Sequence, residues 1–459
     1  MTPVTVTFKS TTWPVFLGFS GILLLAYTSW YLGVWPGPVG EDGYALLANI
    51  DQGVPRFAGK EPAWILYALA TYGTTGWMEM LVIPMILVQI AIFARILSWI
   101  YAQGYRKTAL SFLLLIACTP HVLNFATGFY PDSVFSLAFV GILFEVWLGL
   151  KVRKISPGSA LAIALLLPVA AFFKANGILI FVPVLYLACR LRGLWRWFLV
   201  LACIFWVLAV QLGGKLNDLG KGHGALKPLI LFETVNFMQS RPMGLWENRH
   251  MVTDETKQVV YRYISQQSLD DLFDRDYWDT LWHQNHDRVK FRQMTREDRQ
   301  VLRHEFFTYN LWRNLPVFFS SRVNIFLASA LAQGGMVGPS NAKHYVEKIN
   351  SASRYNFFEL EAWPIWIDDV FQRSYNWRFL WWTPFFGVFL IFLCSWLAVR
   401  QKNWDDGLVA WAMLLQLGGI FMFSIAAEYR YMLLIFYSPL LLVPMWYLQK
   451  CQDGSSNKN

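Results

Sequence analysis

Two adjacent carboxylates, Glu41 and Asp42, open a polar stretch, Gly40-Glu41-Asp42-Gly43-Tyr44, that runs on to Gly59-Lys60-Glu61-Pro62. It lies between an apolar run over residues 13–35 and a second one that begins at Trp64. Charge close to hydrocarbon loses its hydration, so carboxylates at the mouth of a membrane span are costly to keep there. They suit acid–base work: a hydroxyl nucleophile needs a carboxylate within hydrogen-bond reach to take its proton as the new bond forms. A departing phosphate, in turn, needs Lys or Arg aimed at it in a site with little water. Asp132, Lys174 within Lys174-Ala175-Asn176-Gly177, Glu428 and Arg430 also fall at the ends or breaks of apolar runs. Singly, each reads more readily as an anchor or a solvated cap; Lys174 can snorkel, and Arg430 can pair with Glu428. As a set of both signs drawn from five segments, they describe a polar pocket. Such a pocket suits transfer of a sugar from a lipid phosphate, with no nucleotide bound.

Composition supplies the setting. The chain is 56% hydrophobic and only 15% charged, against about a quarter charged for an ordinary soluble domain. Several runs reach the ~20 residues that a bilayer crossing needs. The net charge of +9 gathers in short loops between these runs, the pattern that orients spans and not one that asks for nucleic acid. The first apolar run lacks a small-residue cleavage site and is expected to stay as a span. The five cysteines fall outside the long hydrophilic stretch, and the seven histidines show no metalloprotease spacing. Neither a disulfide framework nor a metal cluster is supported.

The positions that must hold these residues follow from the run lengths and flanking charges. The expected fold is an all-α polytopic membrane protein of about ten transmembrane helices, both termini cytoplasmic, with an external, largely helical domain. Residues 1–212 form an N-terminal transmembrane module whose first external loop is 36–75. Within that loop a helix starts at Asp42, with Tyr44, Leu47 and Ile50 on one face, and 62–73 is interfacial. Spans follow over 76–99, 108–127 and a fourth that ends near Leu150. The run 159–189 reads as two short spans broken at Lys174, and 195–212 leads out. Residues 213–378 form an external or interfacial domain, helical over 254–300, with 311–331 interfacial or re-entrant. Residues 379–459 carry the last three spans and the tail. The pairs Asp368-Asp369 and Asp405-Asp406 read as solvated loop ends.

Glu41-Asp42-Gly43-Tyr44, followed by Ala48, Gly53, Lys60 and Pro62, resembles the first external loop of the GT-C glycosyltransferases. The likeness is to the branch of the lipid A aminoarabinose transferases and protein O-mannosyltransferases. Asp132-Ser133-Val134-Phe135 is similar to the second acidic motif of that branch, and Phe173-Lys174-Ala175-Asn176-Gly177 to its Lys-Gly break. Glu428-Tyr429-Arg430-Tyr431-Met432-Leu433-Leu434 is similar to its late Arg-Tyr-Leu-Leu-Pro element. The four occur in the family's order. Size and span number resemble the phage-type serotype-converting glucosyltransferases.

The resemblance implies a polyprenyl-phosphate sugar donor and a glycan or glycolipid acceptor, such as the O-antigen of lipopolysaccharide. The reaction would take place at the periplasmic face of a bacterial inner membrane. The base falls on Glu41 or Asp42, with Asp132 as the second acidic site. Lys60, Lys174, Arg430 and Tyr431 fall on the donor phosphate side, and Tyr44, Glu61 and Glu428 are further pocket candidates. The sequence departs from the branch in three places. It has Lys-Glu-Pro where the branch often has Glu-Lys-Pro-Pro, it lacks the final Pro, and its acidic pair is in reversed order. Some members use a divalent cation; no dense carboxylate set requires one here. Two other readings stand beside this one. A transporter or flippase of lipid-linked sugars predicts charges at the bilayer midplane and two mirrored halves. A non-catalytic subunit or receptor would use 213–378 for docking.

Overall fold

The computed structural model of the chain describes residues 11–54, 61–219, 226–239, 252–282, 288–334, 338–339, 347–353 and 362–456. Among them all regular structure is helical, with three isolated bridges and no strand. Seven helices are long and apolar enough to cross a membrane: Trp13–Gly33, Met78–Ala102, Pro131–Val152, Leu194–Leu216, Arg378–Arg400, Trp404–Phe423 and Tyr429–Gln449. The chain is a multi-pass integral membrane protein, all-helical among the described residues.

Of the ten expected spans, seven helices among the described residues reach membrane length, or eight if a bent pair is counted as one. The pair is Arg106–Cys118 and Pro120–Ala126, bent by 66° where Pro120 removes a backbone donor and its ring crowds the preceding turn. The two halves of the broken run, Pro157–Phe172 and Ala175–Arg190, are shorter apolar helices. At 16 residues the first is about 24 Å long, less than the roughly 30 Å of a hydrocarbon core. Leu315–Ala330 is likewise a short apolar helix.

The chain divides into two compact units, one of Met1–Gly222, Val337–Leu417 and Met432–Asn459, the other of His223–Met336 and Gly418–Tyr431.

The first unit is built around Pro131–Val152, whose membrane-length stretch is entirely buried. Pro131 starts this helix, Asp132 lies in its first turn and Lys151 in its last, each on the end that the helix dipole favours. Met78–Ala102, Pro157–Phe172, Phe181–Arg190 and Leu433–Tyr437 surround it. Trp13–Gly33 and Leu194–Leu216 lie at the periphery, with Leu25, Leu201 and Phe205 exposed. A helix satisfies its own backbone, so an apolar outer face is compatible with lipid.

The far end of the core helix corrects one expectation. Asp406 is fully buried, accepting from Trp147 Nε1, Asn403 Nδ2 and Gln449 Nε2 and lying 2.8 Å from Lys151 Nζ. Asp405 pairs with Arg153 and accepts from the Tyr186 hydroxyl. Asp406 is not a solvated loop end, because the Lys151 ammonium and three amide or indole donors need an anion in that dry setting, whereas Asp405 and its partner Arg153 keep some exposure. Asp368 and Asp369 lie within the Ala362–Asn376 helix, where Asp369 pairs with Arg373.

The second unit has its own core, with Val235, Phe237, Val260, Leu302, Phe306 and Phe318 inside it. Thr253, Ser265 and Thr295 cap three of its helices with their side chains, satisfying backbone donors that a helix start leaves open. Arg322 and Glu233 form a pair with no exposure on either side, and Arg322 also donates to the Ser424 carbonyl.

Candidate functional site

Four stretches of the first unit meet at the beginning of Pro131–Val152. The Phe129 N–H donates to the Pro38 carbonyl (2.8 Å), and Val39 bridges Phe129 in parallel. This stitch places Gly40 against Tyr130. A Cβ at Gly40 would lie 2.8 Å from the Tyr130 ring, and one at Gly43 would lie 2.9 Å from the Phe129 ring. The glycines on either side of Glu41 and Asp42 therefore permit close approach. Gly40 starts the helix Glu41–Asp51, whose N-terminal partial charge favours carboxylates in its first turn. Glu41 and Asp42 are exposed there, and Tyr44 is half-buried. The inward residues of this helix are Gly43, Leu46 and Leu47; Leu46 is one that the expected face of Tyr44, Leu47 and Ile50 omitted.

Asp132, two residues beyond Tyr130, is 2% exposed. Its Oδ1 lies 2.5 Å from Lys174 Nζ. Its Oδ2 is buried and has no hydrogen-bond partner among the described residues. Such an orphaned carboxylate oxygen asks for a donor, because its desolvation is uncompensated. Behind it the Ser133 hydroxyl donates to Gln89 Oε1 (2.7 Å) and lies 3.3 Å from the Tyr437 hydroxyl. Gln89 donates to the carbonyls of Met85 and Ala126.

Lys174 sits in extended backbone between Pro157–Phe172 and the short 3-10 turn Ala175–Ile180. Glu61, half-buried at the start of the Pro62–Ala70 helix, lies within the field of Lys174. Burial pushes the Glu61 carboxyl up, and the Lys174 ammonium pulls it partly back. The Trp64 ring stacks on Phe129 with centroids 4.3 Å apart and meets Phe173 edge-on. Tyr67 also leans on Phe173. These rings form an apolar wall beside the ion pair, which strengthens electrostatic interactions by keeping the local dielectric low.

Glu41, Asp42, Tyr44, Glu61, Asp132 and Lys174 thus belong to one set of contacting stretches in the first unit. Lys60 lies outside the described residues. Glu428, Arg430 and Tyr431 belong to the second unit. There the Tyr277 hydroxyl donates to Glu428 Oε1 (2.5 Å), Arg430 Nε pairs with Oε2, and the guanidinium lies over the Tyr431 ring.

Gln89, Tyr437 and Gln416 are polar members of this region beyond those expected from the sequence. The signal was present in two of them, since Gln89 and Gln416 are amides inside apolar runs, where polar groups are costly unless bonded. Among the described residues no group of three or more His, Cys, Asp or Glu side chains is arranged to hold a metal ion.

Chemically, the arrangement offers exposed carboxylates at the edge, a buried acid with one open oxygen, a half-buried carboxyl and one ammonium. It can accept protons or hydrogen bonds from a hydroxyl-rich ligand and place a cation against an anionic one. The chain matches no family model, no curated protein and no solved structure.

Proposed function

We propose that the protein is a glycosyltransferase of the membrane. It moves a hexose from a polyprenyl-phosphate sugar to a hydroxyl of a cell-envelope glycan or glycolipid, the O-antigen among them, at the external face of a bacterial inner membrane. The observation that carries this reading is the pair of buried Asp132 with Lys174, set where the Glu41–Asp51 helix begins and beside an aromatic wall. Glu41 or Asp42 takes the proton of the acceptor hydroxyl. Lys174 turns from Asp132 towards the donor phosphate, while Tyr44 and Glu61 line the approach. A bound sugar hydroxyl supplies the donor that Asp132 Oδ2 lacks. A divalent cation, if the reaction uses one, would draw on the same carboxylates. The termini lie in the cytoplasm in this reading.

The test is sugar transfer by the purified protein in detergent, with a panel of polyprenyl-phosphate hexoses and a polysaccharide acceptor. Transfer from at least one donor that is lost in Lys174→Met supports the reading. No transfer from any member of the panel, in protein that binds none of them, overturns it.

One observation favours transport of lipid-linked sugar as a second reading. Arg95 Nε lies 2.8 Å from Glu145 Oε1, and both residues sit inside membrane-length helices, away from their ends. Movement of a labelled lipid-linked sugar across vesicles that lack acceptor separates the two readings.

A further inference from the structure

Gln416 is fully buried in the Trp404–Phe423 helix, 240 positions from the lysine break, and both of its polar side-chain atoms meet one residue. Asn176 Nδ2 donates to Gln416 Oε1 (2.5 Å), and Gln416 Nε2 donates to the Asn176 carbonyl (2.9 Å). A buried amide left unbonded is costly, so this reciprocal pair fixes the side chain and the main chain of Asn176 together. On the next residue the chain is held from the other side. A Cβ at Gly177 would lie 2.4 Å from the Ala170 carbonyl oxygen, so the backbone there presses against the end of Pro157–Phe172. Lys174 stands two residues before Asn176 in extended conformation and aims Nζ at Asp132. The origin of its long, otherwise pliable stem is therefore clamped between two helices.

We propose that Gln416 is a positioning residue that, through Asn176, sets where the Lys174 ammonium can reach. The further claim that this ammonium meets the donor phosphate rests on the glycosyltransferase reading. Gln416 makes no substrate contact in this account; it restricts the arc of Lys174 so that Asp132 and the phosphate are its two stations.

The experiment has two readouts on the full-length protein in detergent. The first is the acetylation rate of the Lys174 amine by a water-soluble N-hydroxysuccinimide acetate, followed by peptide mass spectrometry with Lys151 as the internal control. Loss of two hydrogen bonds in Gln416→Leu is expected to speed Lys174 labelling about tenfold and leave Lys151 unchanged. Gln416→Glu, which keeps the acceptor for Asn176 Nδ2 but not the donor, is expected to fall between. The second is steady-state transfer, where Gln416→Leu is expected to raise the donor KM about tenfold with kcat within about twofold.

Equal Lys174 labelling in wild type and Gln416→Leu, or labelling that rises equally at Lys151, overturns the positioning role. Faster Lys174 labelling with an unchanged donor KM keeps the positioning role and removes the phosphate contact. If Gln416→Leu does not fold, Asn176→Ala removes the Nδ2 half of the pair from its half-exposed side and leaves the bond to the main-chain carbonyl. Lys174 labelling is then expected to rise by less than about tenfold, and no rise overturns the positioning role.

Discussion

At the scale of single residues, exposure divides the candidate site into two kinds of carboxylate. Glu41 and Asp42 are exposed on the first turn of their helix, so Glu41→Gln and Asp42→Asn should each leave the fold intact. One of the two is expected to lower kcat about 10²–10⁴-fold, the usual contribution of a positioned base; full transfer in both single variants and in the double removes the role. Asp132 is different, because its carboxylate is buried against Lys174. Asp132→Asn should cost about 2–3 kcal/mol of stability, discounted from a fully buried pair because Lys174 is a quarter exposed. Chemical denaturation in detergent measures that loss, and the double variant Asp132→Asn/Lys174→Met should recover part of it. The ionisable members were legible in the sequence because charge inside or beside an apolar run has few bland explanations. Gln89 and Gln416 showed only as amides inside apolar runs, and their partners were not legible, because a neutral polar side chain carries no sign and those partners lie far along the chain.

At the scale of elements, the broken run before and after Lys174 was legible from composition, and the structure has two short helices there. The reason for the break was not. Gly177 reads in the sequence as a helix interruption, but its use is contact with the backbone of the preceding helix. Gly177→Ala should therefore cost about 1–3 kcal/mol, because a main-chain carbonyl gives way less easily than a flexible side chain. The thermal midpoint reads the cost, and a change no larger than that of Gly53→Ala would contradict it; Gly53 sits in open space but in a left-handed turn. A pH dependence belongs to this scale as well, because Glu61 begins the Pro62–Ala70 helix. Burial raises its carboxyl above the ordinary value, with Lys174 opposing in part, so folding favours the neutral form. Its contribution to stability is full below the ordinary carboxylate range and is lost as pH rises through the raised value. Glu61→Gln should flatten that part of the midpoint-against-pH curve.

At the scale of the whole molecule, the core helix is tied at both ends by charge, and the two ends differ in kind. The Asp132 end keeps an unsatisfied oxygen beside exposed carboxylates. The Asp406 end is closed: Trp147 and Lys151 of the core helix, Asn403 of the turn before the Asp406 helix and Gln449 of the last helix converge on one carboxylate with no exposure. Their convergence could not be read from the sequence, where Asp405-Asp406 looks like any acidic loop. A transporter must open each end in turn, whereas a transferase needs only one. Asp406→Asn leaves Lys151 with a neutral partner in a dry setting and should cost about 3–5 kcal/mol. Under the transferase reading, conditions in which this variant stays folded should leave the donor KM within about twofold of wild type, since nothing passes that end. A variant that moved labelled lipid-linked sugar across vesicles faster than wild type, with no acceptor present, would instead mark the Asp406 cluster as a gate.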